Sequence, residues 1–102
     1  MHKSESEDIS DWRSRIDELD RELIRILNER AQCAIEIGKL KRSLKMAIYD
    51  PKREELIIDA AACANMGPLD TEGIRRLFEC IIDESRRIER VAAEKATQDP
   101  MS

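Results

Sequence analysis

A single helical stripe of apolar residues runs through the first half of this chain and limits its possible folds more than any other feature. From about residue 10 to about residue 45, apolar side chains recur in steps of four and three, the period of one helix face. The stripe is formed by Trp12, Ile16, Leu19, Leu23, Ile26, Cys33, Ile37, Leu40 and Leu44. About 35 helical residues make a rod of roughly 50 Å, whereas a compact domain of about 100 residues has a radius of gyration near 13 Å. The rod therefore overhangs any globule that the chain forms alone, and a second copy is the simplest cover for its apolar face.

Two shorter helices are predicted after this rod. Asp50-Pro51 supplies an N-cap and a first-turn proline, and the helix that follows ends near Ala64, where the sequence NMGP interrupts it. Asp70 caps the third helix, which runs to about Lys95. Asp8 or Ser10 is the candidate cap of the first helix. Since no strand pattern is present, we predict an all-α fold with three helices in each chain.

The domain organisation follows from these helices. A helical domain is expected over residues 10–95, between a polar N-terminal tail at 1–9 and a polar C-terminal tail at 96–102.

Composition argues against several classes of function. The chain has 102 residues, a net charge of −4, only 3% aromatic residues and no basic block, so nucleic-acid binding is not expected. It has no apolar run of membrane-spanning length, and its first ten residues are polar and acidic, so we expect a cytoplasmic protein. The spacing of Cys33, Cys63 and Cys80 suits neither zinc nor a redox pair, and small buried thiols are expected. The only histidine, His2, lies in the polar tail, so neither catalysis by histidine nor a His-rich metal site is expected.

One position in the first apolar stripe carries a positively charged residue. Arg30 occupies it, and Lys41 follows at nearly the same azimuth, because eleven residues make about three helical turns. Ala34 and Gly38 lie between them, so this face predicts a hollow with positive ends, and Gly38 suggests close approach by another group. The alternative is that Arg30 only sets helix register, as polar seam residues do in coiled coils.

Polar groups also mark the other two helices. Asp50, Arg53 and Glu54 share one face of a first turn, where capping plus a surface ion pair is the simpler explanation. Ser85 and Glu89 interrupt the third apolar stripe. The alternative for Glu89 is a surface position held by the neighbouring arginines, which are Arg86, Arg87 and Arg90. Taken together, these groups predict a pocket that holds a polyanion and stabilises charge without a nucleophile.

Five segments in one register resemble the AroQ class of chorismate mutases. They are WRSRIDELD at 12–20, LNERA at 27–31, IEIGKLK at 35–41, IYDPKRE at 48–54 and LFECIIDES at 77–85. The resemblance covers about residues 10 to 90 and implies an intertwined helical homodimer. It also implies conversion of chorismate to prephenate, on the route to phenylalanine and tyrosine, without a cofactor.

The resemblance further implies a role for each candidate residue. Four would be catalytic: Arg13 reaches a substrate carboxylate across the dimer, Arg30 binds a carboxylate in its own chain, Lys41 contacts a carboxylate and the ether oxygen, and Glu89 donates to that oxygen. Four would bind substrate: Asp50 and Glu54 hold its hydroxyl, Arg53 adds positive potential, and Ser85 assists a carboxylate. Many bacterial relatives have glutamine in place of Glu89, and a glutamate must be protonated to donate.

Two other functions fit parts of this sequence. An isochorismate-pyruvate lyase resembles this fold and pocket, but the segment from Asp50 to Glu54 and the complete set of cations favour the mutase. A non-catalytic helical dimer, serving as an adaptor or regulatory module, is the alternative from another class. It predicts a register-setting Arg30 and no pocket.

Overall fold

The computed structural model describes residues 5–98, and this range forms three α-helices and no strand, which confirms the all-α prediction. The helices are α1 (Glu5–Ser43), α2 (Pro51–Ala64) and α3 (Thr71–Gln98). Helix α1 extends into the expected N-terminal tail, and α3 extends into the expected C-terminal tail. Residues 1–4 and 99–102 lie outside the described residues. The domain boundaries stay a prediction.

Helix α1 starts about five residues before the expected position. Asp8 and Ser10 both lie inside it, so the prediction that one of them caps the helix is wrong. Asp8 instead belongs to an acidic first turn with Glu5 and Glu7, where negative charge is favourable because the helix dipole is positive there. At the other end Lys45 takes a φ of 57°, in the left-handed region, and this conformation ends the helical path.

The caps of the other two helices are confirmed. Asp50 Oδ1 accepts a hydrogen bond from the Arg53 backbone N–H at 3.2 Å, and Pro51 occupies the first turn of α2. Asp70 Oδ1 accepts from the Gly73 N–H at 2.6 Å at the start of α3. Helix α2 ends at Ala64, as expected, and α3 continues three residues beyond Lys95.

The chain divides into two compact units, residues 1–32 and residues 33–102. In the N-terminal unit the apolar stripe of α1 is exposed, with Trp12 at 69% and Leu19 at 44% of full exposure. The C-terminal unit contains the core, in which Ala34, Ile82 and Ala92 are buried. A core of three small or medium side chains is thin, and small domains commonly gain the missing burial from a partner chain.

Within the C-terminal unit, the end of α1 packs directly on α3. A Cβ placed at Gly38 would lie 2.8 Å from the Cα of Glu89 and closer still to the Glu89 carbonyl oxygen. The close approach expected at Gly38 is confirmed, and the approaching group is the backbone of α3. The space beside Gly38 is therefore filled by protein.

The three cysteines differ from expectation. Cys33, Cys63 and Cys80 are free thiols, and all three are exposed in the chain, so the prediction of buried thiols is wrong. The stripe of α1 that includes Cys33 is itself largely exposed, which explains why membership of that stripe does not imply burial. No helix in the described range is both long and apolar enough to cross a bilayer.

Candidate functional site

Lys41 and Glu89 form a largely buried pair where α1 meets α3. Lys41 Nζ lies 3.4 Å from Glu89 Oε1, and the two side chains are only 15% and 13% exposed. The pair depends on Gly38, one turn before Lys41, because the absent side chain lets the α3 backbone approach at Glu89. Glu89 is therefore not a surface residue held by the neighbouring arginines. The ammonium group of Lys41 can donate a hydrogen bond to an electron-rich atom placed beside this pair, and a protonated Glu89 can donate to the same atom.

The connection between α1 and α2 also contacts Lys41. Lys41 Nζ donates a hydrogen bond to the Ile48 carbonyl oxygen at 3.0 Å. This bond restricts the ammonium group, which is otherwise carried on a flexible chain of four carbons. Tyr49 follows directly, and its ring centroid lies 5.0 Å from the Arg86 Cζ, within the range of a cation–π contact.

Glu54 pairs with Arg86 across the interface between α2 and α3. Arg86 Nε donates to Glu54 Oε2 at 3.0 Å, and Arg86 Nη2 donates to Glu54 Oε1 at 2.7 Å. These hydrogen bonds raise the pKa of Arg86 further above its ordinary value. The ion pair expected on the α2 surface is thus replaced by one between helices. Arg86 is the residue that sequence reasoning missed, because no local pattern shows which helix an arginine on α3 contacts.

The other substrate-binding candidates have different positions. Asp50 uses Oδ1 to cap α2, and Arg53 is exposed one turn later. Ser85 is half-buried on α3, four residues before Glu89 and so on the same helix face.

Arg13 and Arg30 belong to the N-terminal unit. Arg13 is exposed on α1, whereas Arg30 is half-buried and has a contact of its own. The structure thus brings Lys41 and Glu89 together in the C-terminal unit, and the roles of the two arginines stay predictions.

A groove of about 1000 Å³ lies elsewhere on the C-terminal unit, between the end of α1 and the second half of α3. Its apolar lining is formed by Ile35, Ile88, Val91, Ala92 and Ala96, and its basic residues are Lys39, Arg42, Arg87 and Lys95. It offers an apolar floor bordered by positive charge. Across residues 5–98, no three His, Cys, Asp or Glu side chains are grouped as a metal site would require.

Comparison with protein families gives a match to the family described as chorismate mutase type II, over residues 12–90. A bifunctional chorismate mutase/prephenate dehydratase from Neisseria gonorrhoeae is 42% identical over 78 residues, which are 76% of this chain and 21% of that protein. The chain thus spans about a fifth of the length of this relative. A chorismate mutase from Methanocaldococcus jannaschii is 27% identical and is covered over 86% of its length.

Solved structures show the same likeness. Chorismate mutase (form II) from Thermus thermophilus matches with a TM-score of 0.79 and 39% identity, over 80% of this chain and 93% of that one. Chorismate mutase from Helicobacter pylori, in complex with prephenate, matches with a TM-score of 0.77 and 28% identity, over 84% and 93% of the two chains. These proteins share the helical architecture described above.

Proposed function

Because this chain belongs to the type II chorismate mutase family, we propose that it catalyses the Claisen rearrangement of chorismate to prephenate. The observation that carries the proposal is the buried pair of Lys41 and Glu89, 3.4 Å apart. The rearrangement breaks a C–O bond and forms a C–C bond in one step, without a covalent intermediate. Negative charge gathers on the ether oxygen as its bond lengthens, so groups that donate hydrogen bonds to that oxygen lower the barrier.

The ammonium group of Lys41 is already positioned to donate a hydrogen bond to the ether oxygen. It contacts the Ile48 carbonyl oxygen and Glu89, so little reorganisation is needed when charge develops nearby. Glu89, when protonated, supplies a second donor to the same oxygen. Two donors fixed before the reaction stabilise the transition state more than the neutral ether of the ground state.

The remaining groups hold the substrate in its compact, reactive conformation. In the proposed roles, Arg30 and the second copy's Arg13 bind the two carboxylates, Ser85 assists a carboxylate, and Arg53 adds positive potential. Glu54 accepts from the hydroxyl, and Asp50 holds the hydroxyl through its backbone. The exposed Arg13 suits a residue that acts on a neighbouring chain.

We propose a homodimer as the active form. The N-terminal unit carries exposed apolar residues such as Trp12, next to an acidic first turn that includes Glu5 and Glu7. The groove of the C-terminal unit has an apolar floor and four basic residues. The N-terminal part of α1 from a second copy complements this groove in both apolar character and charge. The expected cytoplasmic location stays a prediction.

The test is the ultraviolet loss of chorismate with purified wild type and Arg30→Ala. We expect wild type to consume chorismate and Arg30→Ala to lose about 100-fold to 1,000-fold in rate. Circular dichroism and light scattering are expected to show unchanged helices and an unchanged dimer in the variant. Full activity in Arg30→Ala contradicts the proposed site.

Separate incubations discriminate the other functions. Release of pyruvate from isochorismate, with chorismate untouched, indicates the lyase. A wild type that consumes neither compound indicates a non-catalytic module.

A further inference from the structure

We infer that Arg86 is a positioning residue that orients Glu54 toward the substrate hydroxyl, an inference that rests on the proposed function. Arg86 Nε donates a hydrogen bond to Glu54 Oε2 at 3.0 Å, and Nη2 donates one to Oε1 at 2.7 Å. The side chain of Glu54 is 19% exposed and that of Arg86 is 32% exposed, so solvent competes little with this contact. A forked pair of this kind fixes the plane of the carboxylate as well as its position.

Arg86 is itself held from two further directions. Asp83 Oδ1 accepts from its Nη2 at 3.3 Å, and the Tyr49 ring lies 5.0 Å from its Cζ. These contacts come from α3 and from the connection before α2, so the guanidinium has a defined orientation before it meets Glu54. The freedom that Glu54 would otherwise lose on binding substrate is already lost in the folded chain.

The two hydrogen bonds from Arg86 leave Glu54 with further acceptor sites for the substrate hydroxyl. Each carboxylate oxygen has two acceptor sites, and Arg86 uses one on each oxygen. One site on each oxygen therefore stays available for a hydroxyl, in a direction set by the fork. Lysine cannot reproduce this arrangement, because its ammonium group is a point charge without planar geometry.

The kinetic consequence follows from the chemistry of the hydroxyl. This group takes no part in the bonds that break and form, so its contact with Glu54 is equal in the ground state and the transition state. Loss of a contact of this kind raises KM and leaves kcat unchanged.

The experiment measures KM and kcat for chorismate in Arg86→Gln, Arg86→Lys, Glu54→Ala and the double variant Glu54→Ala/Arg86→Gln. We expect Arg86→Gln to raise KM about 10-fold, because a hydrogen-bonded charged partner is lost. Arg86→Lys gives an intermediate KM. In the Glu54→Ala background, Arg86→Gln changes KM less than about twofold, because the residue through which Arg86 acts is absent.

The matched control is Arg75→Gln. Arg75 also links α3 to α2, because its Nη2 donates a hydrogen bond to Asp59 Oδ1 at 3.2 Å. Neither residue is part of the proposed site. We expect an unchanged KM. A similar rise in KM in this control means that contact between the helices, and not orientation of Glu54, is responsible, and it overturns the inference.

Three other results also decide the matter. An unchanged KM in Arg86→Gln overturns the inference. A full 10-fold effect that persists in the Glu54→Ala background overturns it too, since Arg86 then acts without Glu54. A wild type that does not consume chorismate removes the proposed function and this inference with it, whereas the first two results leave the proposed function intact.

Discussion

Glu89 is only 13% exposed, and its Oε1 lies 3.4 Å from the Lys41 Nζ. An ionised carboxylate accepts hydrogen bonds but donates none, and it repels an oxygen on which negative charge is growing. In the proposed mechanism, Glu89 therefore works only while it holds a proton.

Two substitutions at Glu89 test this role. Glutamine carries an N–H donor in place of the carboxyl group, so we expect Glu89→Gln to keep kcat at or above the wild-type value. Alanine removes the donor, so we expect Glu89→Ala to lose about 100-fold to 1,000-fold in kcat. The measurement is kcat for chorismate in the three proteins, and a Glu89→Gln protein as inactive as Glu89→Ala contradicts the role.

The exposed pair of Glu84 and Arg87 on α3 links stability to pH. Hydrogen bonds from Arg87 lower the pKa of Glu84 below its ordinary value of 4.5. A lowered pKa in the folded state gives stability that is present above the unfolded pKa and is lost as pH falls through the folded one. The stability that this pair gives is therefore expected to be lost on the acid side, and thermal unfolding measured against pH checks this.

At the scale of elements, the crossing of α1 and α3 depends on one missing side chain. Gly38 is buried, and the α3 backbone at Glu89 occupies the space that a Cβ would take. Glycine weakens a helix interior by about 1 kcal/mol relative to alanine. The close packing that it permits is what places Lys41 beside Glu89.

Gly38→Ala is therefore expected to destabilise the protein although alanine favours helices. The added methyl group meets backbone atoms, and overpacking of this kind costs about 1–3 kcal/mol. A net loss of about 1 kcal/mol lowers the Tm of a domain of this size by roughly 4–8 °C. Thermal unfolding followed by circular dichroism measures the change.

The matched control for Gly38→Ala is Ser14→Ala. Ser14 is exposed on the same helix, so the substitution changes helix propensity without a clash. Its Tm is expected to stay equal to that of wild type or to rise slightly. A Gly38→Ala protein as stable as this control argues against the close crossing of α1 and α3.

At the scale of the whole molecule, the active form is proposed to be a dimer with shared sites. Each site is expected to use Arg30 of one copy and Arg13 of the other. Two inactive variants then complement each other, because a mixed dimer of Arg13→Ala and Arg30→Ala contains one site with both arginines. Co-expression with random pairing is expected to restore about a quarter of wild-type activity, since half of the dimers have one intact site of two.

The measurement is kcat per chain for each variant alone and for the co-expressed pair. Mixing the two proteins after purification serves as the control, because it leaves the original dimers in place until the chains exchange. No gain of activity in co-expressed dimers of confirmed mixed composition contradicts the shared site.

Features controlled by nearby residues could be predicted from the sequence alone. The all-α class, the start of α2 at Asp50-Pro51 and the cap of α3 at Asp70 depend on hydrogen bonds and dihedral preferences within one helical turn. Gly38 already indicated close approach by another group. The start of α1 was missed because acidic residues stabilise a helix both as caps and inside its first turn.

Only the tertiary structure decided which distant groups meet. Glu54 and Arg86 lie 32 residues apart, and nothing local to either one indicates the other. The same holds for the α3 backbone beside Gly38 and for the exposure of the cysteines. Hydrogen bonds within a helix link residues a few positions apart, whereas the register between two helices depends on how all their side chains pack together.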